Sequence, residues 1–294
     1  MTTSRPIQFG WLSPCIGNRW SDHQPIVVHQ AEHVLPTVNG PFDSIWVADH
    51  FYGMDEKTDP FMEGWTSLTW IAATCPDVTV CHHVLGHGYR PPALTAKMAA
   101  TLQVFSKNRF MLGIGAGWRG DEYEAYGYDF PKPSVRFAQL EEVVEICRRM
   151  WTEDFPSFEG EHFSITDACA PPLPEVVPPV VIGANGPKVG LPLAGRIGDV
   201  WHGFGRDPQA WQEKRAIVDA GAEAAGRDPA EIGSATTLER PLPEDDAASE
   251  ALLEEIAAFR AAGIDHFVMD FGHPQDLEPI HRFVEQVMTP LRNA

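Results

Sequence analysis

Short apolar runs recur along this chain, and between them lie segments with helical spacing. No other feature constrains the fold as strongly. The runs Ile7–Leu12, Asp43–Ala48, Val78–Leu85, Arg109–Gly115, Pro179–Gly183, Asp199–Phe204, Ile232–Leu238 and Ile264–Phe271 read as strands, several of them rich in Val and Ile. Helical patterns are clearest at Pro92–Ser106, Val135–Trp151, Pro208–Ala225, Ala247–Ala262 and Gln275–Met288. Pro92 stands at a helix start, where its missing N–H costs nothing. Gly226 and Gly263 stand where helices end, as a residue free to adopt positive φ should.

Eight strands alternating with helices over 294 residues is the arithmetic of a (β/α)8 barrel. An open doubly wound sheet is the runner-up, since periodicity does not give strand order. Residues 152–178, "TEDFPSFEGEHFSITDACAPPLPEVVP", break the rhythm. They are Pro-rich and too long for an ordinary connection, so an insertion before strand five or an active-site lid is expected. No repeat or linker divides residues 1–294, which read as one domain.

Charge narrows the function. At a net −19 the chain suits neither nucleic acid nor an anionic membrane as partner. No run approaches the roughly 18 apolar residues of a membrane helix, and the N-terminus "MTTSRPIQFGW" lacks the apolar core of a signal peptide. Five cysteines without a C-x-x-C pair argue against a disulfide framework or structural zinc and favour a reducing cytoplasm.

In a barrel, strand ends face the active site. Strand two ends in Asp49-His50-Phe51, two titratable groups and an aromatic. Asp49 alone could cap a turn and His50 could be a satisfied core histidine; chemistry would use both. Strand three carries Cys81-His82-His83, then Gly86-His87-Gly88-Tyr89-Arg90. Strand six carries Trp201-His202. Strand five runs into Gly183-Ala184-Asn185-Gly186-Pro187-Lys188. A Gly/Asn turn before a helix leaves backbone N–H groups for a phosphate, although ordinary turns use the same residues. The glycines at 113–117 have the wrong spacing for a dinucleotide fingerprint. Twelve histidines invite a metal reading, but there is no H-x-H on strand one and no H-E-x-x-H. Neighbouring His82 and His83 also point to opposite faces of a strand. No metal is expected, and a metal-dependent hydrolase is the weaker alternative.

"FDSIWVADHF", "GYRPPALTAKMAATLQVF", "NRFMLGIGAGWRGDEYEAYGYDFP", "RFAQLEEVVEICRRMW" and "PPVVIGANGPKVGLPLAGRIGDVWH" follow one another in an order that resembles the bacterial luciferase-like superfamily. The branch they are most similar to is that of coenzyme F-420-dependent oxidoreductases. The resemblance covers roughly residues 5–205 and is specific in combination.

It implies a TIM barrel binding the 8-hydroxy-5-deazaflavin at the strand ends, with FMN and a flavin-dependent monooxygenase as the nearest alternative. A non-catalytic flavin-binding relative is a further one. The cofactor phosphate would sit at Gly183, Ala184, Asn185 and Gly186, near Trp201. The middle ring would rest on a non-proline cis peptide at about Cys81, His82 and His83. His50 would be the acid/base, with Asp49 positioning and polarising it. A homodimer is the common assembly.

Trp118 stands where sugar-phosphate dehydrogenases of this branch carry Glu, and no Trp follows the "DHF". A sugar phosphate is therefore disfavoured. Trp11, Trp20, Phe51, Tyr52, Trp65, Trp118 and Trp201 suggest an aromatic entrance for a less polar small molecule. Arg90, Lys97, Arg119, Lys188 and Arg196 are the cations available to offset the net charge beside an anionic cofactor.

Overall fold

A computed structural model describes residues 5–13, 26–53, 57–58 and 61–294. Eight parallel strands lie in it: β1 Gln8–Leu12, β2 Ser44–Val47, β3 Thr79–His82, β4 Phe110–Gly115, β5 Val180–Gly183, β6 Val200–Gly203, β7 Gly233–Glu239 and β8 His266–Asp270. Each pairs with its neighbours in sequence, and β8 pairs with β1 (Phe9 opposite Phe267), so the sheet closes on itself. A two-residue strand, Leu85–Gly86, adds to the top of β4. The fold is a (β/α)8 barrel, and the open sheet is excluded by the β8–β1 pair.

The helices used below are α1 Gly64–Thr74, α2 Pro92–Phe105, α3 Gly120–Ala125, α4 Pro133–Thr152, α5 Gly190–Ile197, α6 Pro208–Ala224, α7 Asp246–Ala261 and α8 Glu278–Phe283. Their starts carry the expected chemistry. The carboxylates of Glu63, Asp207 and Asp245 accept from free amides in the first turns of α1, α6 and α7. Gly226 and Gly263, with φ of 72° and 99°, follow α6 and α7.

Alternation along the strands sorts side chains into two cores. Trp46, Cys81, Val181, Ala235 and Val268 fill the barrel lumen with Leu12, Met111 and Val200. The larger core lies between strands and helices and includes Phe9, Trp11, Ile45, Leu112, Ile182 and Trp201.

The Pro-rich insertion enters β5 after α4, so it approaches from the N-terminal ends of the strands, away from a substrate mouth. It forms a small hairpin, Phe158–Glu159 with Ser164–Ile165. Glu142 on α4 takes the amides of Glu161, His162 and Phe163 at 2.8–3.0 Å. On α2, Lys97 donates to the Ala170 carbonyl at 2.7 Å and Gln103 to that of Val176 at 2.9 Å. This is an outer brace on α2 and α4. The lid alternative does not describe it, because a connection from helix to strand opens on the face opposite the strand C-termini.

Candidate active site

Asp49 and His50 leave β2 as neighbours and enter different networks. Both Asp49 oxygens are gripped by Arg90, at 2.9 and 3.0 Å, and Oδ2 also accepts the Gly86 amide at 3.1 Å. Arg90 extends to Glu63 at 2.5 Å. Burial raises the Asp49 pKa in spite of this pairing. Burial would raise that of Glu63 too, but the hydroxyl and amide of Thr66, the Trp65 amide and Arg90 outweigh it and bring it to about 2.

His50 turns to Glu122 on α3, donating from Nδ1 to Oε2 over 2.8 Å. Glu122 is fully buried; the Tyr89 hydroxyl reaches the same oxygen at 2.7 Å, and the Phe51 amide occupies the other. Burial opposes its ionisation, yet the His50, Phe51 and Tyr89 hydrogen bonds outweigh burial and lower its pKa. An ionised Glu122 fixes the His50 tautomer with the proton on Nδ1. Nε2 then has no protein partner among the described residues and is not sealed from solvent. The ring lies edge-on to Trp118 and Phe61, with centroids 5.7 and 5.8 Å away. The acid that polarises His50 is thus Glu122, not Asp49. Nothing in the spacing pointed to Glu122, which comes from the far side of strand four.

The strand-three residues divide as a pleat requires. Cys81 packs in the lumen against Trp46. His82 faces outward against Trp65 and Phe110, its ring nitrogens unpaired and its pKa lowered by burial to about 3. His83 faces the lumen, where Nε2 lies 2.7 Å from the Thr237 hydroxyl. The non-proline cis peptide is His83–Val84, one bond beyond the expected stretch. Val84 then inserts against Gly115 and Gly183, where any Cβ would meet it within 3.0 and 2.6 Å.

The turn after β5 is open. A Cβ built on Gly186 meets nothing within 4 Å. The amides of Asn185, Gly186 and Lys188 make no hydrogen bond among the described residues. Asn185 is held from below, its Oδ1 accepting from the Phe204 amide at 2.9 Å and from Lys214 at 3.1 Å. Trp201 lies outside the lumen, stacked on Trp211 at 4.2 Å, and donates to the Ala184 carbonyl at 2.9 Å. It supports the turn from behind and does not line a pocket. The residues present fit a bound phosphate.

Of the five cations singled out, Lys188 remains exposed on this turn. Arg90, Lys97 and Arg196 are committed to Asp49, the insertion and Glu141, and Arg119 donates to the carbonyls of Tyr52 and Gly53.

Of the aromatic residues singled out for an entrance, Trp118 lies two-thirds exposed beside His50. Trp11 does not belong to it: on β1 it is Gly10 and Leu12 that face the lumen, and Trp11 packs behind the strand on Phe42 and Phe271. Trp65 is buried against His82. Phe51 stacks on Tyr126 at 4.3 Å and Tyr89 at 4.6 Å, in a cluster of tyrosines rather than over an open cavity. Tyr52 donates to Asp121 at 2.8 Å. Trp20 and Cys15 lie outside the described residues. Among the described residues no group of His, Cys, Asp and Glu is placed to hold a metal ion.

Fold and site together define a (β/α)8 barrel with a polarised histidine and an open Gly/Asn turn at the C-terminal mouth. Residues 9–288 match the family described as luciferase-like monooxygenase, and the chain belongs to it. It is 34% identical over 209 residues to an F-420-dependent glucose-6-phosphate dehydrogenase of Kineococcus radiotolerans, covering 70% of this chain and 61% of that one. It is 29% identical over 234 residues to an F-420-dependent hydroxymycolic acid dehydrogenase of Mycobacterium tuberculosis, covering 79% and 64%. The chain thus spans somewhat under two thirds of these relatives' length. Among solved structures, an F-420-dependent secondary alcohol dehydrogenase in complex with an F-420–acetone adduct shares the fold with a TM-score of 0.81 at 22% identity, covering 98% and 99%.

Proposed function

We propose that this chain is an oxidoreductase that moves a hydride between coenzyme F-420 and a small, weakly polar organic substrate. The observation that carries the reading is His50, polarised by Glu122 at Nδ1 with Nε2 left open at the strand ends. The F-420-dependent names of the similar dehydrogenases support it.

Gly183, Ala184, Asn185 and Gly186 would hold the phosphate through the open turn amides. Val84, set by the bulge after His83, and the lumen beneath it, with Cys81, would support the ring. A bound deazaflavin supplies a carbon that gives or takes the hydride.

The chain's own part is the proton. As an alcohol O–H proton passes to His50 Nε2, Glu122 stabilises the imidazolium formed; in the other direction the same nitrogen returns the proton to a carbonyl oxygen. Asp49 does not touch this proton. It fixes Arg90, and with it the start of α1 and the Gly86 turn.

The phosphate turn would serve FMN as well, so an FMN-dependent monooxygenase using reduced flavin and oxygen is the alternative, in keeping with the family's description. Titrating the apoprotein with coenzyme F-420 and with FMN, by fluorescence, decides between them. F-420 should bind at least tenfold more tightly, and the reverse order would overturn the assignment.

A homodimer belongs to the same proposal. It is supported by Trp70 on α1 and Leu94, Val104 and Phe105 on α2, large apolar side chains exposed on adjacent helices. A cytoplasmic setting is supported by Cys75, Cys81, Cys147 and Cys169, all free thiols. No described helix is long and apolar enough to cross a membrane.

A further inference from the structure

The barrel has a second opening, at the N-terminal ends of the strands and so on the face opposite His50. A recess of about 200 Å³ lies there. Its floor is apolar, made by Trp46, Met111, Val181 and Val200. Arg5 and Gln8, both exposed, stand on its rim, and the ring of His266, 6% exposed, forms part of the wall. Trp46, Cys81 and Met111 stand side by side in register across β2, β3 and β4. This layer of packed side chains separates the recess from the mouth.

His266 opens one nitrogen into this space. Its Nε2 lies 2.7 Å from the Ser44 hydroxyl, which also accepts from Trp46 Nε1 at 2.7 Å. An indole N–H only donates. His266 Nε2 is therefore the one acceptor within reach of the Ser44 proton among the described residues. The opposite tautomer would strand that proton on a hydroxyl whose residue is 1% exposed, at the cost of an unmade hydrogen bond. With Ser44 donating, the neutral ring carries its own proton on Nδ1. That atom has no partner among the described residues and is not sealed from the recess. Burial lowers the His266 pKa to about 4, so the ring is an uncharged donor near neutrality.

The charge left over on this rim is positive. Asp265 is taken by Arg260 at 2.9 Å and by the Ser234 amide at 3.3 Å. Asp43, whose charge reaches His266, is held by Arg292 at 2.7 Å. Arg5 uses one guanidinium nitrogen on the carbonyls of Ala230 and Glu231 and has no carboxylate partner among the described residues. Its Nη1 leans over Gly233, where a Cβ would lie 3.2 Å away. An arginine without a counter-ion, a buried N–H and an apolar floor together match an anion that has an apolar body.

We propose that this recess binds a small monocarboxylate with a flat apolar body, such as an aromatic acid. The carboxylate lies between Arg5 and His266 Nδ1, and the body rests on Trp46 and Met111. A cavity of about 150 Å³ holds benzene, so the recess has room for benzoate and little more. The site is separate from the proposed cofactor and substrate sites and does not depend on either.

The test titrates sodium benzoate, acetate and benzamide into the whole protein without cofactor, by calorimetry. Benzoate should bind with a dissociation constant of about 1 mM or tighter. Acetate lacks the body and benzamide lacks the charge, so each should bind about tenfold more weakly. Arg5→Gln should weaken benzoate about tenfold, and Arg5→Lys should restore most of the loss. Trp118→Ala, at the opposite mouth, should leave benzoate affinity unchanged. Imidazole nitrogen NMR should show the His266 resonances moving as benzoate is added.

The inference is overturned if the parent binds no benzoate in this range, if benzamide binds as well as benzoate, or if the His266 resonances stay still. It is equally overturned if Arg5→Gln keeps the parent's affinity, or if Trp118→Ala abolishes binding and so places benzoate at the mouth.

Discussion

Asp49 and His50 are adjacent in sequence and both buried, yet one is spent and the other is poised. Asp49 has both oxygens on Arg90 and one on the Gly86 amide. His50 has one side-chain anchor, Glu122, and a second nitrogen without a partner among the described residues. The pleat sends neighbours to opposite sides of the strand end, so one meets the loop leading to α2 and the other meets the mouth. The contrast gives a criterion: a buried ionisable group with every hydrogen-bonding position filled is holding structure, and one with a position left open at a cavity is available for chemistry.

Mutation of Asp49 should break that contrast most severely. Asp49→Ala leaves Arg90, mostly buried, with the part-exposed Glu63 as its one counter-ion among the described residues. Removing one member of a buried pair costs about 3–5 kcal/mol, so denaturant unfolding should show a loss of that size. A loss under about 1 kcal/mol would mean that Asp49 is not structural in this sense. His50→Asn should do the opposite. Turnover at saturating substrate and cofactor should fall about 10²–10⁴-fold, the usual worth of a general acid–base. Stability and cofactor affinity should stay near the parent's. If turnover stays within a few-fold, His50 only shapes the pocket.

Glu122→Gln sharpens the same comparison, because it keeps the size of the side chain, removes the charge and leaves one accepting oxygen where Glu122 offers two to the donors His50, Tyr89 and Phe51. Partners that orient a working histidine are worth on the order of ten- to a hundredfold. That loss should appear in kcat, with KM little changed, since Glu122 touches no substrate. A change in KM alone would make Glu122 a packing residue. At the other end of the site, Gly186→Val puts a branched side chain into the open space over the turn. Cofactor affinity should fall at least tenfold, about 1.4 kcal/mol, and an unchanged dissociation constant would move the phosphate elsewhere.

The contrast between Asp49 and His50 also marks where sequence reading stops. Every barrel strand was legible, because a two-residue period and flanking Gly and Pro are local signals; observed bounds differ from the apolar runs by a few residues at most. Helices α1, α3 and α5 were not, since α3 and α5 have only 6 and 8 residues and α1 carries no charged residue to mark a solvent face, which hides its period. The mouth was legible as a place, from the titratable residues gathered at strand ends. Its pairings were not. Glu122 lies 72 positions from His50, and Thr237 lies 154 from His83 and 35 from His202; strand pairing and the curvature of the barrel bring them together. Trp11 and Trp201 were read as entrance aromatics because composition cannot tell which face of a strand a Trp occupies, and both proved to face the helices.

The smallest expected effect concerns Glu63, the second carboxylate on Arg90, and it tests whether the Asp49 region is structural in its pH dependence as well. Glu63 caps α1 through the amides of Trp65 and Thr66, and its folded pKa of about 2 lies below its ordinary value of 4.5. A carboxyl with a depressed folded pKa stabilises the fold above its unfolded pKa, and that contribution is lost as pH falls through the folded one. The side chain is 40% exposed, so water screens the pair, and the cap is worth about 1 kcal/mol. Glu63→Gln should therefore cost about that much at pH 7. The histidines complicate the raw curves: His82 and His83, lowered to about 3 and 4 from 6.5, stabilise fully only above pH 6.5 and lose that contribution as pH falls toward their folded values. They are common to both proteins, so the parent-minus-variant difference isolates Glu63. It should be flat from pH 7 to about 5 and shrink toward zero between 4.5 and 2. A difference that already collapses near pH 6 would show that the pair is coupled to a histidine instead, and that the Arg90 network is not separate from the His50 side of the site.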